Sequence, residues 1–240
     1  DPGTIGNDYV GPLLPISNIS NLGAATLTTI ITPARDAETD EELRTRYFEK
    51  INQKAFGGNI AQYEEEIKSI SGVGEVQIFP VWNGGGTVKC SVIDAQYNAI
   101  SAEFISQIQE LIDPPPQGTG LGMAPIGHTV TITTPTNLEI NIETSVSIDS
   151  RYILSQLTDP IKAAIAEYLL ELRKAWGHPN DLNQYSLAVY ISRINASILT
   201  VSGVANVTGT KINGNASDLT LTETATLQQL PVLGSVTINE

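Results

Sequence analysis

The chain has 240 residues and a formal net charge of −13, with 41% hydrophobic and 16% charged residues. This composition is typical of a globular protein and excludes a wholly disordered chain. Residues 1–150 hold 19 acidic and 7 basic side chains, whereas residues 151–240 hold 7 and 6. Because phosphates and anionic lipids require Lys and Arg, we expect no nucleic-acid and no membrane partner. The acidity favours simple solubility, and a basic partner facing the first half is the alternative.

The first predicted segment, residues 1–35, is an arm rich in Gly, Pro, Asn, Ser and Thr, with a short apolar run at residues 24–31. We expect loops and one or two short strands there. The opening DPGT lacks a methionine and is unlike a signal peptide, so we interpret it as a cut or processed terminus of a longer protein. The arm can bury little surface by itself, and we expect it to lean on an upstream segment or on a neighbour.

A first α/β domain is predicted over residues 36–150, and it begins with two helices. Thr39 and Glu42 match a capping box, and apolar residues follow at helical spacing until the glycine pair at residues 57–58. Asn59 caps the second helix, which ends at the sequence Ser-Gly-Val. The buried stripe predicted for this second helix consists of Tyr63, Ile67 and Ile70.

A β-hairpin and a third helix follow. The hairpin strands are predicted at residues 73–81 and 87–94, joined by the turn sequence NGGG. Cys90, the single cysteine, lies in the second of these strands, where we expect it to be a small core hydrophobe rather than half of a disulfide. Ser101 caps the third helix. Its predicted apolar face consists of Phe104, Ile105, Ile108, Leu111 and Ile112.

The sequence DPPP at residues 113–116 ends the third helix, and a glycine-rich loop occupies residues 118–127. Alternating apolar and polar residues at 128–134 and 138–148 then indicate strands with one solvent-facing side. The β-α-β order, with mixed strands, indicates a small central α/β sandwich.

The second domain is predicted over residues 151–240. Pro160 is expected at the first position of a fourth helix that ends at Gly177. A short polar link, residues 177–183, leads into a fifth helix predicted over residues 187–201. Strands follow at residues 205–212, 218–221 and 231–238.

Residues 39–94 and 158–239 share one order of elements. Each has a helix, a Gly-containing break, a second helix, the sequence Ser-Gly-Val, a strand, a turn and another strand. We therefore predict an α+β fold, with duplicated helix-helix-strand-strand units and a central small α/β sandwich.

No motif that carries chemistry survives inspection. Residues 36–47 resemble the start of a calcium loop, but Glu41 and Tyr47 stand where Gly and Glu are needed. The loop at residues 118–127 follows a helix, opens a strand and lacks the lysine of a nucleotide-binding loop. The two histidines lie far apart, and no nucleophile signature such as Gly-x-Ser-x-Gly is present. We predict no metal, no cofactor and no enzymatic activity.

Several motifs occur in a specific order along the chain. Residues 40–46 read DEELRTR, and residues 57–73 hold GGN, Tyr-x-x-x-Ile and SGV. Residues 127–135 read GHTVTITTP, and residues 230–236 read LPVLGSV. Over about residues 35–239, this order resembles the baseplate J-like family, the wedge proteins of contractile phage tails and related injection machines.

The resemblance implies a structural baseplate wedge subunit that links neighbouring wedges around the central tube. The implied partners are copies of itself and other wedge subunits, and indirectly the sheath and tube proteins. The implied location is the tail baseplate of a phage or of a prophage-encoded, phage-tail-like particle, assembled in the cytoplasm of the bacterial host. The alternatives are a tail- or cell-surface-associated carbohydrate-binding module and a hydrolase carried on the tail.

Two exposed segments without repeat character are the predicted partner interfaces, namely the loop at residues 118–127 and the polar link at residues 177–183. If the loop approaches a neighbour closely, bulky residues at Gly120 and Gly122 should block particle assembly without unfolding the isolated chain. The candidate interface residues are Gly118, Gly120, Gly122, Met123, Pro125, His178, Asn180 and Asp181.

Overall fold

The chain folds into helices and several small sheets, so the predicted α+β class is confirmed. It divides into two compact units, Asp1–Thr133 and Thr134–Glu240, and each unit has its own hydrophobic core. The structure, a computed structural model, describes residues 3–17, 19–20, 22–52, 57–180 and 184–240.

The first unit holds a small β-hairpin, three α-helices and a three-stranded sheet of order β3-β4-β5. In this sheet β3 and β4 pair in antiparallel fashion, as predicted for the hairpin, and β4 pairs with β5 in parallel. The elements are β1 (Gly11–Leu13), β2 (Ala25–Leu27), α1 (Asp40–Asn52), α2 (Ile60–Ser69), β3 (Val73–Pro80), β4 (Thr87–Asp94), α3 (Ala102–Ile112) and β5 (Thr129–Thr133).

Side-chain caps set the starts of these helices. Thr39 Oγ1 accepts a hydrogen bond from the Glu42 N–H at 3.3 Å, and Glu42 Oε2 accepts one from the Thr39 N–H at 2.7 Å. Asn59 and Ser101 likewise accept the backbone N–H three residues later, at 2.9 Å and 3.2 Å. Each cap satisfies a donor that has no partner within its helix. The predicted capping box and both predicted caps are confirmed.

The core of the first unit lies between its sheet and the helices α2 and α3. Cys90 is fully buried in β4, as predicted for a small core hydrophobe, and burial raises the pKa of its thiol well above the ordinary range. Leu111 was expected on the buried face of α3 but is exposed. The buried positions Phe104, Ile108 and Ile112 recur every four residues, which turns Leu111 away from the sheet.

The second unit holds a three-stranded sheet of order β10-β6-β8, a two-stranded sheet of β7 and β9, and two helices. Its core lies between the larger sheet and the helices. The elements are β6 (Thr136–Ile148), α4 (Leu154–Lys174), β7 (Ser186–Val189), α5 (Ile191–Leu199), β8 (Val204–Ile212), β9 (Leu219–Thr222) and β10 (Gln229–Asn239).

The fourth helix begins earlier than predicted. It starts at Leu154, where the Gln156 side chain accepts the Ile153 N–H at 3.3 Å, and Pro160 lies inside it. A proline within a helix removes one backbone hydrogen bond, here the one to the Gln156 carbonyl. The rest of the helix compensates by burying Leu157, Ile161, Ile165 and Leu169.

The fifth helix begins later than predicted, because Ser186–Val189 forms β7. Leu187 and Val189 are both buried, as alternate residues on one face of a strand are. The helix then begins at Ile191, whose N–H donates to Asp218 Oδ1 at 2.8 Å. This cap comes from a residue distant in sequence, so local spacing could not reveal the boundary.

The helix-to-strand order recurs in both units, but the strands pair differently. In the first unit β3 and β4 form a hairpin. In the second unit β8 pairs with the central strand β6, and β9 pairs with β7. The two sheets of the second unit therefore share no common strand.

Candidate interface surfaces

The glycine loop, residues 118–127, is held firmly against the rest of the first unit. The Gly127 N–H donates to the Gly118 carbonyl at 2.8 Å and closes the loop. The Ala124 N–H donates to the Ile112 carbonyl at 2.8 Å, and the Ala124 side chain is buried. The loop is therefore a defined surface feature that leaves from the end of α3 and returns to β5.

The glycines of this loop serve its own conformation. Gly118 and Gly120 have φ angles of +76° and +74°, which side chains rarely adopt. A Cβ at Gly122 would lie 2.5 Å from the Ile112 carbonyl oxygen and from the Pro114 side chain. Bulky residues at Gly120 or Gly122 would thus disturb the chain itself. The test first suggested by the sequence cannot isolate a contact with a neighbour.

The outward surface of the loop is apolar. Leu121 is 70% exposed and Ile126 is 82% exposed. Met123 is also exposed, and its N–H donates to the Leu111 carbonyl at 3.2 Å, which brings the exposed Leu111 beside it. We call Leu111, Leu121, Met123 and Ile126 the loop patch. Sequence reasoning selected Met123 from this group and missed the other three, although apolar residues among loop glycines were a visible signal.

Pro125, another predicted interface residue, is only partly exposed. A Cβ at Gly58 would lie 2.7 Å from Pro125 Cγ and 2.8 Å from His128 Cε1, so both rings pack over Gly58. The His128 ring stacks on Tyr63 with 6.1 Å between centroids, and Tyr63 Oη lies 2.8 Å from His128 Nδ1. Burial raises the pKa of the Tyr63 hydroxyl well above its ordinary range, so the phenol stays protonated. This contact anchors α2 to the start of β5.

Asp113 joins the glycine loop to the sheet. Its side chain is buried at the end of α3, where Oδ1 accepts the Gly118 N–H at 2.9 Å and Oδ2 accepts the Val130 N–H at 2.8 Å. One carboxylate thereby satisfies a donor of the loop and a donor of β5.

Two glutamines complete the cover over the outer edge of β5. Gln109 Oε1 accepts the Ile132 N–H at 3.0 Å, and Gln109 Nε2 donates to the Val130 carbonyl at 3.0 Å. Gln117 Nε2 donates to the same carbonyl at 2.9 Å. These side chains occupy hydrogen-bonding groups that an added strand would need. The edge of β5 is therefore closed to strand pairing.

The polar link in the second unit exposes His178 and Asn180. Asn180 is tied locally, because its N–H donates to the Gln184 carbonyl at 2.9 Å and its Oδ1 accepts the Gln184 N–H at 3.0 Å. Asp181 lies outside the described residues. Just before the link, the buried Trp176 donates its indole N–H to the Gln229 carbonyl at 3.0 Å. The link is thus held at its start by a core anchor.

The arm at the front of the chain carries a second exposed apolar surface. Hydrogen bonds from Thr4 to Asp36 and between Asn7 and Ala34 hold its two ends together. Leu14 is nevertheless 90% exposed, and α1 exposes all of its described side chains, including the Tyr47–Phe48 pair. Further exposed apolar side chains of this region are Ile5, Val10, Leu13, Ile16, Ile19 and Leu43. Such a concentration is typical of a surface that another chain covers.

A cavity lies between the arm and the segment that follows β4. Its lining includes Asn7, Val10, Ile31, Gln96 and Ile100, and it contains no aromatic side chain. Sugar-binding clefts rely on aromatic faces, so this cavity gives no support to carbohydrate binding. Among the residues that the structure describes, no three His, Cys, Asp or Glu side chains gather as metal ligands would, and no helix has the length and apolarity to cross a membrane.

Comparisons with known proteins match most of the chain. The model of the Baseplate J-like central domain matches residues 55–134, and that of the Baseplate J-like protein C-terminal domain matches residues 140–239. The chain is 32% identical to phage-like element PBSX protein XkdT of Bacillus subtilis (strain 168), with all of this chain and 65% of that protein aligned. It is 27% identical to baseplate protein gp47 of Escherichia phage Mu, over 62% of this chain and 47% of that protein.

A chain in the cryo-EM structure of the anti-feeding prophage baseplate shares the fold, with a TM-score of 0.50 at 10% identity. The match covers 92% of this chain and 48% of that one, so this chain spans about half to two thirds of the proteins that it matches. Two consecutive domain models of one family fit here in their expected order. The chain therefore belongs to the Baseplate J-like family.

Proposed function

We propose that this chain is part of a structural wedge subunit in the baseplate of a contractile phage tail or of a phage-tail-like particle. In this role it links neighbouring wedges around the central tube. The observation that carries the proposal is the ordered match of both Baseplate J-like domains over residues 55–239. The relatives named for a phage-like element and for the phage Mu baseplate point the same way.

The surfaces of the chain support an architectural role. The loop patch and the exposed apolar side chains of the arm belong to well-defined segments, and a lone soluble chain gains nothing by exposing them. Contacts with other baseplate subunits and with copies of this chain would cover them. In this proposal the sheath and tube are indirect partners. The subunit is made and assembled in the host cytoplasm and resides in the tail baseplate.

The proposed role requires no catalysis. The residues singled out by geometry, such as Asp113 and the Tyr63–His128 pair, are engaged in contacts that hold the fold together. A carbohydrate-binding module remains the rival, and it makes a different prediction about what the protein retains when it is purified.

The first experiment is purification of the tagged full-length protein from a strain that produces the particle, followed by mass spectrometry. The proposal expects sheath, tube and other baseplate proteins at near-constant ratios. Recovery of the protein alone, or with cell-wall glycans only, would overturn it.

A second experiment asks whether the loop patch is one of the interfaces. The double variant Leu121→Asp and Ile126→Asp should fold normally, because both side chains are exposed, but should no longer enter particles. The matched control is Leu199→Asp, which places the same charge at an exposed leucine of α5. Equal incorporation of the double variant and the control would remove the loop patch from the interface.

A further inference from the structure

The outer edge of β10 is an open sheet edge. Strand β10 lies at one side of the β10-β6-β8 sheet and pairs only with β6. Beyond a register shift between Leu233 and Val236, residues Val236–Asn239 run in regular register with Ile142–Ser145. Within the described part of the chain, no strand, loop or helix adds backbone hydrogen bonds on the other side of Val236–Asn239.

Other edges in the protein carry features that discourage pairing. The edge of β5 is covered by the side chains of Gln109, Asp113 and Gln117. Strand β8 carries Lys211, and its ladder with β6 is interrupted twice by register shifts. Charges, irregularities and covering side chains are the usual protections of an edge strand. The regular part of β10 has none of them.

The side chains of this stretch are half-satisfied in the same sense. Val236 and Ile238 pack against the core of the second unit but stay partly exposed. They face the helices, whereas Thr237 faces the opposite, polar side of the sheet. A strand laid beside β10 would complete the burial of both apolar side chains.

We propose that β10 pairs with β10 of a second copy of this chain, in antiparallel fashion about a two-fold axis normal to the sheet. This inference rests on the proposed function, since it specifies one contact between copies of the wedge subunit. With the axis at Thr237, Val236 lies opposite Ile238 of the partner subunit. The two three-stranded sheets then form one six-stranded sheet with its helices on a single face.

Charge favours the same strand as the occupant. The chain has a net charge of −13, yet residues 229–239 contain no charged side chain, so identical edges can meet without repulsion. Antiparallel pairing keeps the two Glu240 side chains at opposite ends, whereas parallel pairing would place them side by side. The glutamates of the two β6 strands would lie three strand spacings apart, about 14 Å, which exceeds the screening length of roughly 8 Å at physiological salt.

Disulfide trapping tests the geometry on the full chain. Thr237→Cys should form a covalent dimer under mild oxidation, because facing residues on paired strands have Cβ atoms about 5 Å apart. The native Cys90 is fully buried and does not interfere. The control is Thr208→Cys, an exposed position on β8 at the opposite edge of the same sheet. Equal trapping at both positions, or none at Thr237, would overturn the proposal.

Charge exchange tests the energetics by sedimentation equilibrium. Thr237→Lys and Thr237→Glu should each weaken self-association by about fivefold or more, and an equimolar mixture of the two variants should restore it. Recovery in the mixture also excludes misfolding as the cause. A wild-type chain that stays monomeric, or dimers insensitive to both charges, would contradict β10 pairing. If such a chain still purifies with baseplate proteins, the proposed function stands and only this inference fails.

Discussion

The Asp113 carboxylate accepts a hydrogen bond from the Val130 backbone N–H at 2.8 Å, and this contact joins the end of α3 to the outer edge of β5. The same side chain accepts the Gly118 N–H, so the sheet edge and the glycine loop depend on one buried carboxylate. With 1% of its surface exposed, Asp113 cannot be replaced by water when it is removed.

We therefore expect Asp113→Ala to lower the free energy of unfolding by about 2–4 kcal/mol, because two backbone donors lose their acceptor. Urea denaturation followed by circular dichroism measures the change. Glu110→Ala, an exposed position on the same helix, should alter stability by less than about 0.5 kcal/mol. Similar losses for the two variants would show that Asp113 does not hold the loop.

Gly122→Ala should destabilise the first unit by about 1–3 kcal/mol, because the new Cβ would meet the Ile112 carbonyl oxygen at 2.5 Å. Gly85→Ala is the comparison, since a Cβ there has no atom within 4 Å and its φ is not positive. Thermal melting of the two variants beside the wild type gives the answer. An unchanged melting temperature for Gly122→Ala would mean that the loop can shift freely.

Glu223 should make stability depend on pH. Burial raises the pKa of its carboxyl from 4.5 to about 7, while the Gln229 N–H, which donates to Oε2 at 2.6 Å, opposes the rise. The folded state holds the proton more tightly than the unfolded state. The contribution of Glu223 is therefore fully present below pH 4.5 and is lost as the pH rises through 7.

In Glu223→Gln this loss should vanish. The variant should match the wild type near pH 4.5 and exceed its unfolding free energy by about 1–3 kcal/mol at pH 8. Urea titrations at a series of pH values provide the comparison, and all other titrating groups cancel in the difference. Parallel stability curves for the two proteins would show that Glu223 keeps an ordinary pKa.

Trp176→Phe should cost about 2 kcal/mol, because the buried ring loses both volume and its hydrogen bond to the Gln229 carbonyl. Trp82→Phe is a suitable comparison, since the Trp82 indole nitrogen has no hydrogen-bond partner in the described part of the chain. Each variant keeps one tryptophan, so fluorescence follows unfolding in both. A larger loss for Trp82→Phe would contradict this assignment.

Local sequence rules predicted what local forces determine. The caps at Thr39, Asn59 and Ser101 and the hairpin of β3 and β4 depend on neighbours within a few residues, and the structure has all of them. Cys90 was predicted in the core because its strand is apolar on both sides. The order of family motifs correctly indicated the Baseplate J-like family.

The features that sequence reasoning missed depend on distant partners. Strand β7 has apolar residues that also fit helical spacing, and only its pairing with β9 and the cap from Asp218 fix the boundary. The role of Gln109 and Asp113 at the edge of β5 requires the return of the chain after the glycine loop. The interface residues proposed from sequence were glycines, whereas the loop exposes its leucine and isoleucine side chains to solvent.

Strand β6 also has a mechanical consequence. It is 13 residues long and is bonded along one side to β10 in parallel and along the other to β8 in antiparallel register. A force applied along this strand would load both ladders in shear, so their hydrogen bonds would have to break together rather than one at a time. The second unit is thus built to bear tension along β6, and to yield far more easily when β10 is peeled sideways.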